Sequence, residues 1–186
     1  MASKRPLGTL LLAISFFRAL LGGLLILFYD SSYAVLGIVI LIVGQLSDHL
    51  DGFIARRYSQ PSIEGYFQDS ISDKLFQTAA IIVACKEFNL SFIVLWIVIS
   101  RDLLLLVFRV LSQDLEKDLV SLKWVSIIFA IKLRVGILIL FSLPFFDNDI
   151  EKESLFFIAE ISIYMASFVG ISSVIFFFKA LPRKAL

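Results

Sequence analysis

Four aspartates stand close together in the sequence, between two long apolar runs. Asp48 and Asp51 are three residues apart, so they share one face of a helix. Asp69 and Asp73 are four residues apart and do the same on the next helix. A tight connection around residues 59–61 would bring the two pairs together. Carboxylates at close range repel one another unless cations neutralise them. Hard oxygen ligands suit Mg²⁺, Mn²⁺ or Ca²⁺ and not zinc.

The pattern therefore predicts a divalent metal centre. The alternative interpretation, ordinary acids in a solvated turn, fits one aspartate better than two helix-spaced pairs.

Small residues and an arginine lie between the two pairs of aspartates. Gly52, Ala55 and Gly65 would let a backbone or a flat ligand approach closely. Arg56 stands beside the acids, where a guanidinium fork could bind a diphosphate bridged by metals. The alternative is that the small residues only pack helices and that the arginines only anchor the membrane interface. We prefer that alternative for Arg57.

The composition indicates a membrane protein. Of the 186 residues, 59% are hydrophobic, whereas a soluble domain has about 45–50%. The formal net charge of +1 argues against a nucleic-acid binder, because such a protein needs a basic excess. The single cysteine, Cys85, excludes an internal disulfide and fits a cytoplasmic or intramembrane setting.

Six apolar stretches are long enough to span a bilayer, which takes about 20 residues. The first follows a basic N-terminus, but Arg18 interrupts it, so we interpret it as a retained helix and not as a signal peptide. Short polar connections favour one compact all-α domain over residues 1–186, a bundle of six transmembrane helices. The predicted spans are Leu7–Tyr29, Ala34–Ile54, Ile63–Ala84, Leu90–Leu111, Leu119–Leu143 and Leu155–Lys179.

Lysines and arginines near the ends of these spans lie mostly on one side, which sets the orientation in the membrane. With the N-terminus inside, the cytoplasmic side carries Lys4, Arg5, Arg56, Arg57, Lys117, Lys179, Arg183 and Lys184. The other side carries only Lys86 and Lys152. We expect both termini and the aspartates on the cytoplasmic side of the cell membrane.

Basic residues also fall inside the predicted spans: Arg18, Arg101, Arg109, Lys123, Lys132 and Arg134. Each would be costly facing lipid, so each is expected to face the protein interior, water or a partner. Three of them, Arg101, Arg109 and Lys123, could form an anion pocket for a phosphorylated acceptor, although Lys123 could equally extend to the interface. Asp102 could pair with Lys132 or Arg134.

The aspartate stretch resembles the signature of the CDP-alcohol phosphotransferase (phosphatidyltransferase) family. It reads Asp48-x2-Asp51-Gly52-x2-Ala55-Arg56-x8-Gly65-x3-Asp69-x3-Asp73. Two further elements, Ser15-x2-Arg18 and Arg101-Asp102 followed by Arg109, are similar to elements of the phosphatidylglycerophosphate synthase branch. The chain departs from that branch at Leu12, Ser62 and Phe176, which leaves the acceptor open.

The resemblance implies an integral membrane enzyme that joins CDP-diacylglycerol to an alcohol and releases CMP. It implies that the four aspartates hold two Mg²⁺ or Mn²⁺ ions and that Asp73 is also the general base. The nucleotide-binding residues would be Asp48, Gly52, Ala55, Arg56, Gly65 and Asp69. The acceptor favoured by the resemblance is glycerol 3-phosphate, and members of the family often form homodimers.

Three alternatives stay open at this point. The first keeps the chemistry with another acceptor: inositol phosphate, phosphatidylglycerol as in cardiolipin synthesis, serine or an aminoalcohol. The second is a divalent-cation transporter, which would place acids near the bilayer midplane and not at one edge. The third is a non-catalytic relative, against which the intact aspartates argue.

Overall fold

The computed structural model describes residues 5–30, 33–58, 63–111 and 120–180, and it describes side chains in 13–30, 33–48, 50, 70–107 and 124–176. Six α-helices and one short 3-10 turn, with no strand, make up these residues, which confirms the predicted all-α class. The helices are α1 (Arg5–Phe28), α2 (Ala34–Tyr58), α3 (Ile63–Glu87), α4 (Phe92–Leu111), α5 (Val120–Ser142) and α6 (Asp149–Ala180).

Five of the helices agree with the predicted spans to within about one helical turn, whereas α6 begins earlier than predicted. It starts at Asp149, inside a segment that the hydropathy assigned to a loop. Asn148 caps it, because its Oδ1 accepts a hydrogen bond from the backbone N–H of Ile150 at 3.1 Å. Asp149 and Glu151 in the first turn favour the positive end of the helix dipole. Capping therefore extends this helix beyond its apolar part.

Local signals also explain other helix ends. After α3 ends at Glu87, Asn89 adopts a left-handed backbone with φ 56°, a conformation that asparagine tolerates better than most residues. Ser91 precedes α4, and its Oγ accepts a hydrogen bond from the backbone N–H of Ile93 at 3.3 Å. Pro144 lies in the 3-10 turn after α5, where its ring ends the helix.

The chain forms two compact units, Met1–Glu87 and Phe88–Leu186. In the first unit α1 packs against both α2 and α3. In the second unit α6 packs along α5 and against α4. The second unit has a core around Phe129, Leu133, Phe141 and Ile163, all almost fully buried.

Apolar surface remains exposed on the helices of both units. Two stretches in the described part of the chain, Trp124–Phe145 and Asp149–Phe176, are long and apolar enough to cross a membrane, and Ala13–Phe28 and Ala34–Asp48 are shorter apolar helices. Exposed side chains of this kind include Phe16, Leu27, Val35, Trp96, Phe157 and Phe168. Many large apolar side chains exposed on the surface are typical of a protein that contacts lipid.

Candidate active site

The four aspartates lie on two neighbouring helices of the first unit. Asp48 and Asp51 belong to α2, and Asp69 and Asp73 belong to α3. Both helices run without a break through each pair, so the members of each pair share a helix face. The side chains of Asp48 and Asp73 are partly buried. Those of Asp51 and Asp69 lie outside the described side chains.

The residues predicted to bind the nucleotide fall on the same two helices. Gly52, Ala55 and Arg56 continue α2 beyond Asp48, and Gly65 lies in the first turn of α3. Their side-chain surroundings are outside the described part of the structure, so their role stays a prediction.

A buried arginine on α1 contacts the first aspartate. Arg18 is fully buried, and its Nη1 lies 3.0 Å from Oδ1 of Asp48. Its Nε donates a hydrogen bond to Oγ of Ser47 at 3.4 Å. A buried guanidinium is tolerated only with such partners, so the expectation that Arg18 avoids lipid is confirmed. The sequence alone left the role of Arg18 open, although an arginine within an apolar helix already signals a functional or structural partner.

Close packing fixes the rotation of α3 next to the second aspartate pair. Phe76, one turn after Asp73, is buried between α1 and α2. A Cβ added to Gly44 on α2 would lie 2.6 Å from Cε1 of Phe76, and one added to Gly22 on α1 would lie 3.2 Å from its Cα. A Cβ at Gly44 would force the Phe76 ring to shift, and a Cβ at Gly22 would be in tight contact with α3. The packing of Phe76 therefore sets the direction in which α3 presents Asp73.

The donor set suits a hard divalent cation. Asp48 and Asp73 supply carboxylate oxygens, the ligands preferred by Mg²⁺ and Mn²⁺. Among the described side chains, no group of three or more His, Cys, Asp or Glu comes together. The other two aspartates of the predicted centre, Asp51 and Asp69, are outside the described side chains. The metal centre therefore stays a prediction, and the oxygen donors of Asp48 and Asp73 are of the type that such a metal prefers.

In the second unit, Arg101 on α4 is held by two neighbours. Its Nη1 lies 2.7 Å from Oδ1 of Asp102, and its guanidinium carbon lies 3.8 Å from the centre of the Phe129 ring. Both charged side chains are buried. Gly170 on α6 keeps space for this arrangement, since a Cβ there would lie 3.0 Å from the Phe129 ring. Asp102 thus pairs with its neighbour in sequence, a contact that was not predicted from the sequence.

The remaining basic residues of the predicted spans are less informative. Arg109 lies on α4 and Lys123 on α5, but their side chains are outside the described ones. Lys132 on α5 ends 4.0 Å from Sδ of Met165 on α6. Of the three residues predicted to bind the acceptor phosphate, Arg101 is the one whose side chain the structure describes.

The sequence profile of the family described as CDP-alcohol phosphatidyltransferase matches residues 9–176, a range that includes all four aspartates. The chain belongs to this family. The family match confirms the resemblance drawn from the aspartate signature, and it identifies the protein as a phosphatidyltransferase.

Several curated relatives of this phosphatidyltransferase carry the name CDP-diacylglycerol–glycerol-3-phosphate 3-phosphatidyltransferase. The chain is 28% identical over 142 residues to the protein from Wigglesworthia glossinidia brevipalpis, covering 75% of each chain. It is 23% identical over 154 residues to the protein from Salmonella choleraesuis (strain SC-B67), covering 80% of this chain and 85% of that one. It is 32% identical over 91 residues to the protein from Blochmanniella floridana, covering 47% and 48%. No solved structure matches the chain.

Proposed function

We propose that this phosphatidyltransferase moves the phosphatidyl group of CDP-diacylglycerol to glycerol 3-phosphate, giving phosphatidylglycerophosphate and CMP in phospholipid biosynthesis. The observation that carries the proposal is the family match across residues 9–176. The acceptor follows from the curated relatives, whose names specify glycerol 3-phosphate.

The protein crosses the cell membrane six times in this proposal, with both termini and the aspartates in the cytoplasm. The exposed apolar side chains of the described helices support a membrane setting. The excess of lysine and arginine on one side supports the orientation. Residues 1–186 form one catalytic domain, and the protein assembles as a homodimer. Reporter proteins fused to either terminus and native mass spectrometry would test the orientation and the dimer.

Two divalent ions, Mg²⁺ or Mn²⁺, are held by Asp48, Asp51, Asp69 and Asp73. The helical spacing of the two aspartate pairs on α2 and α3 supports this assignment. When bound, such ions neutralise a diphosphate and stabilise the charge that develops during in-line displacement. The nucleotide is bound by Asp48, Gly52, Ala55, Arg56, Gly65 and Asp69.

Asp73 is the general base. Its carboxylate accepts the proton of the acceptor hydroxyl while that oxygen forms a bond to the phosphorus of the phosphatidyl group. The bond from this phosphorus to the oxygen of CMP breaks, and CMP leaves. The partial burial of Asp73 and the fixed rotation of α3 around Phe76 support the role, because a base must be held within hydrogen-bond reach of its proton.

The phosphate of the acceptor is bound by Arg101, Arg109 and Lys123. The buried position of Arg101 supports this role, since a guanidinium binds phosphate through a planar fork and gains strength away from water. Its contacts with Asp102 and Phe129 limit the motion of the fork before the acceptor arrives.

The decisive experiment measures CMP release by the purified protein from CDP-diacylglycerol with a panel of alcohols. The panel contains glycerol 3-phosphate, inositol phosphate, phosphatidylglycerol, serine and an aminoalcohol. We expect release with glycerol 3-phosphate and little with the others. CMP release with a different alcohol alone would mean that the reaction is correct but the acceptor is that alcohol. No CMP release with any alcohol would contradict the proposed reaction.

A further inference from the structure

Arg18 is a buried cation of the first unit, and the reaction described above does not use it. Its side chain has 0% exposure, while that of Asp48 has 23%. A buried charge without a partner costs several kcal/mol, by a rough estimate, and the contact with Asp48 offsets that cost. The side chain that supplies the compensating charge is one of the four carboxylates proposed to bind metal.

The guanidinium contacts two consecutive residues of α2. Nη1 binds Oδ1 of Asp48 at 3.0 Å, and Nε donates to Oγ of Ser47 at 3.4 Å. The hydroxyl of Ser47 is itself oriented, because it donates to the backbone oxygen of Gly44 at 2.7 Å. A planar guanidinium held at two atoms has little freedom to rotate. The Asp48 carboxylate is therefore held in one orientation from α1.

We propose that Arg18 is a positioning residue that orients the Asp48 carboxylate for a divalent cation. This inference rests on the metal centre of the proposed function. A carboxylate has two oxygens with about four lone-pair sites, so accepting a hydrogen bond on Oδ1 does not exhaust its capacity to bind an ion. Residues that hydrogen-bond to ligating carboxylates orient them, and losing such a residue typically weakens metal affinity by about 10- to 100-fold.

Arg18 could affect metal binding by orienting Asp48 or by its own positive charge. These two effects can be separated by comparing the affinities for two ions of the same charge. Removing the positive charge of Arg18 would strengthen the binding of any divalent cation to a similar extent. Losing the orientation of Asp48 would instead weaken binding, and it would do so most for Mg²⁺, which demands near-ideal octahedral geometry. Ca²⁺ accepts irregular coordination. The ratio of the Kd for Mg²⁺ to the Kd for Ca²⁺ therefore reports geometry.

The experiment measures Mn²⁺ binding to the substrate-free protein by electron paramagnetic resonance, with displacement by Mg²⁺ or Ca²⁺. The variants are Arg18→Lys, which keeps the charge and loses the fork, and Arg18→Met, which loses both. We expect Arg18→Lys to raise the Kd for Mg²⁺ by about 10- to 100-fold and the Kd for Ca²⁺ by a smaller factor. In Arg18→Met the lost charge lowers both Kd values to a similar extent, so the ratio of the Kd for Mg²⁺ to the Kd for Ca²⁺ should still rise as it does in Arg18→Lys. Catalytic activity is not needed for this readout.

Leu25→Ala is the matched control. Leu25 is fully buried two turns further along α1, on the same face as Arg18, and does not belong to the site. Its truncation should lower Tm without changing the ratio of the two Kd values. If Arg18→Met does not fold, Arg18→Lys carries the test.

Three outcomes would overturn the inference. An unchanged ratio in Arg18→Lys with a lower Tm would make Arg18 a structural residue only. If Arg18→Met changes the Kd for Mg²⁺ and the Kd for Ca²⁺ by equal factors and Arg18→Lys changes neither, Arg18 acts through its charge and not by orienting Asp48. A wild-type protein that binds no Mn²⁺ would remove the metal centre of the proposed function together with this inference, whereas the first two outcomes leave that centre intact.

Discussion

Arg18 Nη1 lies 3.0 Å from Asp48 Oδ1, so a side chain of α1 holds a carboxylate of α2. Arg18 is fully buried in an apolar helix, where its charge needs a partner. The same contact gives Asp48 a fixed direction. This ion pair explains how an arginine can lie within an apolar helix. It also explains how a proposed metal ligand is oriented.

Replacing Asp73 by asparagine removes the proposed base and keeps the size of the side chain. We expect Asp73→Asn to lower CMP release by at least about 100-fold, the usual lower bound for losing a general base, with little change in Tm. Asp147→Asn, an exposed acid of the second unit, is the control and should retain activity. CMP release near the wild-type rate in Asp73→Asn would exclude Asp73 as base and as an essential ligand.

Chelation tests the need for a divalent ion independently of any substitution. EDTA should stop CMP release, because the repelling carboxylates and the diphosphate would lose their neutralising charge. Adding excess Mg²⁺ or Mn²⁺ should restore it, and EDTA saturated with Mg²⁺ beforehand serves as the control. Turnover that persists in EDTA after extensive dialysis would contradict a metal-dependent reaction.

Gly44 and Gly23 form a matched pair of helical glycines in the first unit. A Cβ on Gly44 would lie 2.6 Å from Cε1 of Phe76, whereas one on Gly23 would meet nothing within 4 Å. We expect Gly44→Ala to destabilise the protein by about 1–3 kcal/mol through overpacking. Gly23→Ala should leave stability unchanged or raise it by up to about 1 kcal/mol. Thermal unfolding in detergent measures both.

The same pair tests the link between packing and catalysis. Because Phe76 sets the rotation of α3, Gly44→Ala should also lower kcat at temperatures where the protein stays folded. Similar Tm values for the two variants would refute the close approach of α2 and α3 at this point.

Gln77 lies one turn beyond Asp73 and is buried, and its Nε2 makes no hydrogen bond within the described part of the chain. Leaving a buried polar group without a partner costs about 1–3 kcal/mol. Gln77→Met keeps the shape and removes the amide, so we expect a higher Tm with unchanged CMP release. A lower Tm would mean that the amide is satisfied in the folded protein. A higher Tm with a large loss of activity would instead assign Gln77 to the site.

Much of the fold followed from hydropathy, because five of the six helices coincide with the predicted apolar stretches to within about one helical turn. The start of α6 did not, since the cap at Asn148 and the acids that follow it are polar. The spacing alone predicted that the two aspartates of each pair share a helix face, because both pairs fall within unbroken helices. The partner of Arg18 was not, because a contact between side chains 30 positions apart in sequence depends on how α1 and α2 pack. Likewise, the sequence suggested Lys132 or Arg134 as the partner of Asp102, whereas the structure pairs it with Arg101.

Arg101 allows a direct test of the proposed acceptor site, because its two contacts, with Asp102 and with the Phe129 ring, can be changed separately. Arg101→Lys keeps the charge beside Asp102 but loses the fork and the stacking on Phe129. A charge-assisted hydrogen bond contributes about 1.5–3 kcal/mol, so the KM for glycerol 3-phosphate should rise by about 10- to 100-fold. The KM for CDP-diacylglycerol should change little. Steady-state kinetics with each substrate varied in turn measures the split.

Two further variants separate binding from packing at Arg101. Phe129→Leu retains the arginine and removes the ring, so its effect on the acceptor KM should be smaller than that of Arg101→Lys. Arg109→Ala should raise the acceptor KM as well, if both arginines bind one phosphate. If Arg101→Lys lowers Tm and leaves both KM values unchanged, Arg101 serves only to pair with Asp102 and to pack on Phe129, and the acceptor phosphate must be bound elsewhere.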